Sequence, residues 1–92
     1  RAFHPATEQR VLMTNPAVFS VVRRDRETND VILALTNITR TAQELLQPLA
    51  ELGEDTVLWR DVLADRYIRA DNGILRVPLD AYEIIWLEPH RG

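Results

Sequence analysis

Short apolar runs separated by turn-forming residues organise this chain. The runs lie at residues 9–13, 17–23, 30–38, 41–47, 56–61, 67–70 with 74–79, and 82–88. They are rich in Val, Ile, Leu, Thr and aromatic side chains, which fit a pleated, half-buried surface. Strands recurring at this spacing predict an all-β, antiparallel sandwich or barrel.

Two of the runs break the usual alternation. "DVILALTNIT", residues 30–39, is apolar on both faces: Val31, Leu33 and Leu35 on one, Ile32, Ala34 and Ile38 on the other. A strand apolar on both sides is predicted to be central. "DAYEIIWLE", residues 80–88, sets Tyr82, Ile84 and Trp86 on one face and Glu83, Ile85 and Leu87 on the other. A strand with one wet face would alternate apolar with polar. The second face of this one needs a cover: a ligand, a second sheet, or protein outside these residues.

The punctuation between runs is chemical. Asn15-Pro16 separates the first two strands, because Pro offers no ladder donor and extends the residue before it. "RRDRETND", residues 23–30, predicts a hairpin tip. Three acidic residues dilute its arginines, so a solvated tip is preferred to an anion site. Asn37-Ile38-Thr39 fits a glycosylation sequon, but an Asn bonding its own backbone at a strand end is the simpler expectation. Asp71-Asn72-Gly73 predicts a tight hairpin with Ala70 facing Leu75 and Ile68 facing Val77. That register sets Arg69 opposite Arg76, an unfavourable pair of like charges. Either a carboxylate lies between them or the turn is one residue longer.

Residues 41–53 are ambiguous locally. Thr41 and Glu44 have capping-box spacing, and Ala42, Leu45, Leu46, Leu49 and Leu52 follow a helical period. Pro48 would then sit mid-helix, at a cost of about 3 kcal/mol. A split resolves the conflict: 41–47 left open, then a short helical turn with Pro48 at its first position and Gly53 at its end.

Composition narrows the class. The 92 residues suffice for one domain with one modest core. At 46% hydrophobic and 27% charged, the chain is ordinary for a globular domain. Net charge is −3 and all 11 basic residues are arginine, which argues against a nucleic-acid partner. The absence of cysteine removes disulfides, zinc-thiolate sites and thiol nucleophiles, and is consistent with a bacterial cytoplasmic location. No apolar run reaches the roughly 18 residues a membrane-spanning helix needs. No signal-peptide pattern is present. The first residue, Arg1, leads us to expect a piece of a longer protein.

Candidate chemistry is sparse. The two histidines, His4 and His90, lie near opposite termini without an evident third metal ligand. Glu51, Glu54 and Asp55 cluster after the helical turn, and Asp61 and Asp65 are four apart. Paired carboxyls serve glycoside hydrolysis only where a cleft separates them. A solvated loop, with Asp61 capping one helical turn, is preferred. Trp59, Tyr67, Tyr82 and Trp86 offer stacking rings for a sugar, with Trp59, Tyr82 and Trp86 the candidate residues. Against this, Trp and Tyr in strands more often fill a core. No catalytic, cofactor or metal residue is assigned.

One resemblance orders these landmarks. "FHP", "RVLMTNPAVFSVVRR", "VILALTNIT", "LWRDVLADR" and "LRVPLDAYEIIWLE" follow one another as in the C-terminal β-domain of the alpha-amylase family of glycoside hydrolases, and the sucrose-phosphorylase-like branch is the most similar. The family's apolar strand ending Asn-x-Thr is matched by Leu35-Thr36-Asn37-Ile38-Thr39. Its Trp-Arg-Asp-Leu-like segment is matched by Trp59-Arg60-Asp61-Val62-Leu63. Its closing Tyr and Trp-Leu are matched by Tyr82 and Trp86-Leu87; Ala81 stands where Pro is usual.

The resemblance implies a Greek-key β-sandwich of about seven to eight strands with a short helical turn, with 41–47 a strand. It implies residues 1–7 as a linker from a catalytic (β/α)8 barrel, 8–88 as the domain and 89–92 as a tail. The family's catalytic carboxylates lie in the barrel, and no stretch here matches their motifs. The implied role is a non-catalytic accessory domain that packs against and stabilises the barrel. The implied parent transfers glucose from a disaccharide such as sucrose to phosphate, or hydrolyses an α-glucosidic bond. The alternatives are a carbohydrate-binding module and a free-standing protein-interaction domain. Besides the barrel, the expected partners are a weak carbohydrate contact and a second copy joined through the barrel-facing surface.

Overall fold

Apolar alternation becomes burial strand by strand. In a computed structural model, which describes residues 7–25, 27–28 and 30–90, the elements are β1 Thr7–Leu12, β2 Val18–Asp25, β3 Val31–Asn37 and β4 Gln43–Pro48. A 3-10 turn, Leu49–Leu52, follows, then β5 Leu58–Asp61, β6 Arg66–Arg69, β7 Ile74–Leu79 and β8 Ile84–Pro89. The two-sided apolar run is central as expected: β3 lies between β2 and β8. Leu33 and Leu35 are fully buried, while Ile32, Ala34 and Thr36 are half-buried.

The chain forms the expected Greek-key β-sandwich. One sheet has the order β1-β2-β3-β8-β5-β6, the other is the pair β4-β7, and neighbours are antiparallel. The chain crosses between sheets after β3, β4, β6 and β7. Leu45, Leu75, Val77 and Leu79 of the small sheet join Leu33, Leu35, Trp59, Ile85 and Leu87 of the large one in a single core. Each fully buried Leu or Ile contributes roughly 2 kcal/mol of transfer free energy.

Local chemistry sets the turns. Residues 43–48 form a strand rather than a helix, with Leu45 and Gln47 buried in period two. Pro48 is not the first residue of the helical turn: it ends β4 with φ −65° and ψ 131° and precedes the turn. Gly53 closes the turn at φ 68°; its N–H reaches Ala50 O at 3.2 Å, and Glu54 N–H reaches Leu49 O at 3.3 Å. Asn37 behaves as an Asx turn: its Oδ1 accepts from Thr39 N–H at 2.9 Å and Thr39 Oγ1 at 2.7 Å. The 23–30 hairpin also forms, closed by Asp25 N–H to Asp30 O at 2.9 Å.

The predicted hairpin across Asn72-Gly73 does not form. Both residues take positive φ, 52° and 76°, as a tight turn requires, and Asp71 and Ile74 exchange two backbone bonds. Pairing ends at that bridge: β6 stays on β5 in the large sheet, and β7 pairs with β4 in the small one. Ala70 N–H bonds Val57 O at 2.7 Å, so the chain leaves the large sheet only at the turn. Arg69 therefore faces Leu58, and Arg76 faces Leu46 and pairs with Glu44 at 2.9 Å. The like-charge conflict belonged to the hairpin register and vanishes with it.

The last strand is also shorter than expected. β8 starts at Ile84, and Tyr82 sits outside it in a left-handed turn at φ 57°. Such a φ costs a non-glycine residue roughly 1–2 kcal/mol.

Candidate functional site

The outer face of the large sheet answers the question raised by "DAYEIIWLE". Ile85 and Leu87 point into the core; Ile84 and Trp86 point away and are 53% and 42% exposed. The ladder extends this apolar surface across four strands. Val11, Val21, Ala34 and Trp86 lie in one row through β1, β2, β3 and β8; Val11 and Trp86 are exposed at its ends, whereas Ala34 is half-buried and Val21 is buried. Phe19, Thr36 and Ile84 form the next row, and Phe19 is 51% exposed. Beyond them come the loops: Ile38 N–H bonds Ala17 O at 3.1 Å, and Tyr82 N–H bonds Thr39 O at 3.1 Å. With about 4.8 Å between strands and about 6.8 Å between alternate residues, the two rows span roughly 14 Å across the strands and about 7 Å along them between backbone positions.

Ion pairs border the patch at the β5 end. Arg60 reaches Asp65 at 3.0 Å and Glu88 at 3.3 Å. The hydrogen bond to Asp65, more than that to Glu88, raises the Arg60 guanidinium above its ordinary value, against the opposing effect of burial. Tyr67 stands opposite Arg60 and meets His90 edge-on at 5.1 Å.

The three candidate stacking residues are separated by the fold. Trp59 is fully buried, and its indole N–H donates to Thr56 O at 2.8 Å. As it stands it shows no ring to solvent. Trp86 and Tyr82 both lie on the exterior, Tyr82 at 63% exposure. Sequence parity alone could not separate the two tryptophans, because it does not say which face of a strand meets the core.

Other candidates fall to structural roles. Asp61 is buried; Oδ1 accepts from Leu63 N–H at 3.0 Å and Ala64 N–H at 3.4 Å, and Oδ2 accepts from Arg66 Nε at 3.2 Å. It caps the turn as expected. Glu54 pairs with Arg24 at 3.3 Å. In the arginine cluster, Arg24 also donates to Leu52 O at 2.9 Å, and Arg26 lies outside the described residues. His4 also lies outside them, and among the described residues no group of three or more His, Asp or Glu could hold a metal. A groove of about 510 Å³ between β1 and the 3-10 turn is lined by Arg10, Arg24 and Glu51 among others. Its arginines are engaged by turn carbonyls, Arg10 with Glu51 and Arg24 with Leu52. No described helix is long and apolar enough to cross a membrane.

No family model matches the chain. It is 29% identical, over 99% of its length, to a glucosylglycerate phosphorylase of Spirochaeta thermophila, of which it spans 16%. Its fold matches part of AmyP, solved in complex with maltose, with a TM-score of 0.81 at 20% identity; the match covers 97% of this chain and 18% of that one. An Anoxybacillus alpha-amylase matches with a TM-score of 0.71 at 23% identity, over 94% of this chain and 19% of its own. The chain thus spans under one-fifth of the relatives it matches, and it is similar along nearly its whole length to a small part of those larger proteins, sharing its fold with the matched parts of AmyP and the Anoxybacillus alpha-amylase.

Proposed function

We propose that this chain is the non-catalytic, C-terminal accessory domain of a sugar-acting enzyme, and that it stabilises a catalytic barrel by packing the outer face of its large sheet against it. The carrying observation is the exposure of Val11, Phe19, Ile84 and Trp86 together on that face. The relatives' lengths support an occupant from the same chain, since more than four-fifths of each lies outside the match. The size of the patch supports it too. A stable dimer buries about 800 Å² per partner, whereas contacts between domains of one chain can be smaller because the covalent link holds them together. In this reading residues 1–7 are the linker, 8–88 the domain and 89–92 the tail.

The parent reaction is phosphorolysis or hydrolysis of an α-glucosidic bond in the cytoplasm. The glucosylglycerate phosphorylase and the maltose complex of AmyP support that class.

Phe19→Asp in the full-length parent tests the docking. The expected result is a lower Tm and faster proteolytic cleavage between domain and barrel, with KM for the sugar little changed. Wild-type cleavage and Tm overturn the reading.

A second reading, weak carbohydrate contact, is favoured by Trp86 and Tyr82 lying exposed on the same exterior. Titration with maltose while following tryptophan fluorescence tests it. A saturable change lost in a folded Trp86→Ala variant makes the domain a sugar binder. A flat titration removes that role.

A further inference from the structure

The exterior carries one backbone outlier that its residue type does not favour. Among the described residues, three non-glycine residues have positive φ: Asp65 at 53°, Asn72 at 52° and Tyr82 at 57°. Asp and Asn tolerate this region because their short polar side chains bond locally; a bulky aromatic does not. Tyr82 is nonetheless held there from several sides. Glu83 N–H bonds Asp80 O at 3.0 Å, which puts Tyr82 at the third position of a tight turn, where Gly or Asn is the usual solution. Tyr82 N–H bonds Thr39 O, Asp80 N–H bonds Glu83 Oε1 at 2.8 Å, and Asn37 Nδ2 bonds Asp80 O at 2.9 Å.

This rigid turn presents a ring that the domain itself does not use. Tyr82 is 63% exposed, and among the described residues its hydroxyl takes no hydrogen bond. Backbone strain that surrounding contacts over-determine tends to mark a site of function. A tyrosine presented this way resembles an interface anchor: a large apolar body, a polar tip and little rotamer entropy to lose. Its backbone is tied to the β3–β4 loop at Thr39 and lies two residues before Ile84, so the turn borders the sheet end where Ile38 and Ile84 are exposed.

We infer that Tyr82 is the anchor by which this domain docks on the rest of its parent chain. The ring enters a pocket with apolar walls and a hydrogen-bond acceptor for the phenol, on the part of the enzyme outside these residues. This rests on the docking reading above, and it names a residue that reading did not need.

The test uses the full-length parent chain with three variants: Tyr82→Gly, Tyr82→Phe and Phe19→Asp. The readout is the rate of limited proteolysis between domain and barrel, with the Tm beside it. A role confined to the turn predicts that Tyr82→Gly is neutral or stabilising, because glycine removes the steric conflict. An anchor predicts the opposite sign: Tyr82→Gly speeds cleavage about tenfold or more, as loss of a hot-spot ring does, while Tyr82→Phe stays much closer to wild type. If Phe19→Asp speeds cleavage and Tyr82→Gly does not, the docking face stands and the anchor is overturned. If neither does, the docking reading fails and the anchor with it. Loss of oligosaccharide affinity in Tyr82→Gly, with cleavage at the wild-type rate, also overturns the anchor and assigns the ring to sugar.

Discussion

Asn37 and Asp80, 43 positions apart, are joined by a 2.9 Å hydrogen bond from the Asn37 amide to the Asp80 carbonyl. Asn37 is fully buried and also donates to Thr41 O at 2.8 Å, so one side chain fastens the β3–β4 and β7–β8 connections together. Its Oδ1 accepts from Thr39 at the same time. Asn37→Ala leaves several of these polar groups unpaired and should destabilise the domain by about 2–3 kcal/mol. Thermal unfolding reads this directly, since 1 kcal/mol moves the Tm of a domain this size by about 4–8 °C.

Asp61 supports a graded prediction. Asp61→Asn keeps an oxygen for the Leu63 and Ala64 N–H groups but turns an amide donor toward Arg66 Nε. Asp61→Ala loses the cap and the Arg66 bond together. Because Arg66 is partly exposed, water softens the loss of the charge pair. We expect about 1–2 kcal/mol for Asn and about 2–4 kcal/mol for Ala. Urea unfolding of the two variants checks the order; equal losses would mean the cap contributes nothing.

The tryptophans should separate in fluorescence. Trp59 has no exposure and a hydrogen-bonded indole; Trp86 is 42% exposed. Acrylamide should quench one emitting population and spare the other. Trp86→Phe should abolish the quenchable fraction and leave blue-shifted emission from Trp59. In the full-length parent the proposed docking predicts that the Trp86 fraction becomes protected.

Arg76 is the contrasting case. Its pair with Glu44 is short, at 2.9 Å, yet both side chains are mostly exposed, 66% and 49%. Exposed ion pairs contribute about 0–1 kcal/mol, and salt screens them. Arg76→Ala should shift the Tm by no more than a few degrees, and less in 1 M NaCl. A large, salt-insensitive loss would mean that its aliphatic stem covers the small sheet in a way the ion pair does not explain.

Period-two alternation in residues 74–79 and 84–87 was enough to specify strands and to pair Ile85 with Leu87 and Ile84 with Trp86. The double-sided apolarity of residues 31–35 was enough to place a central strand. Asn37, Asp61 and Gly53 acted as turn chemistry predicts, because that chemistry is local. Long-range competition decided the rest. The Asn72-Gly73 turn can close a hairpin, yet β6 and β7 found better partners in β5 and β4, and the chain changed sheets there. Trp59 and Trp86 look alike in sequence, and only the closing of the sandwich put one in the core and the other outside. Tyr82 took a left-handed φ that no propensity favours, because Asn37 and Thr39, distant in sequence, bond the turn that its neighbour Glu83 closes locally. A residue's own chemistry selects among a few local conformations; the contacts that choose between them are made by residues far away in sequence.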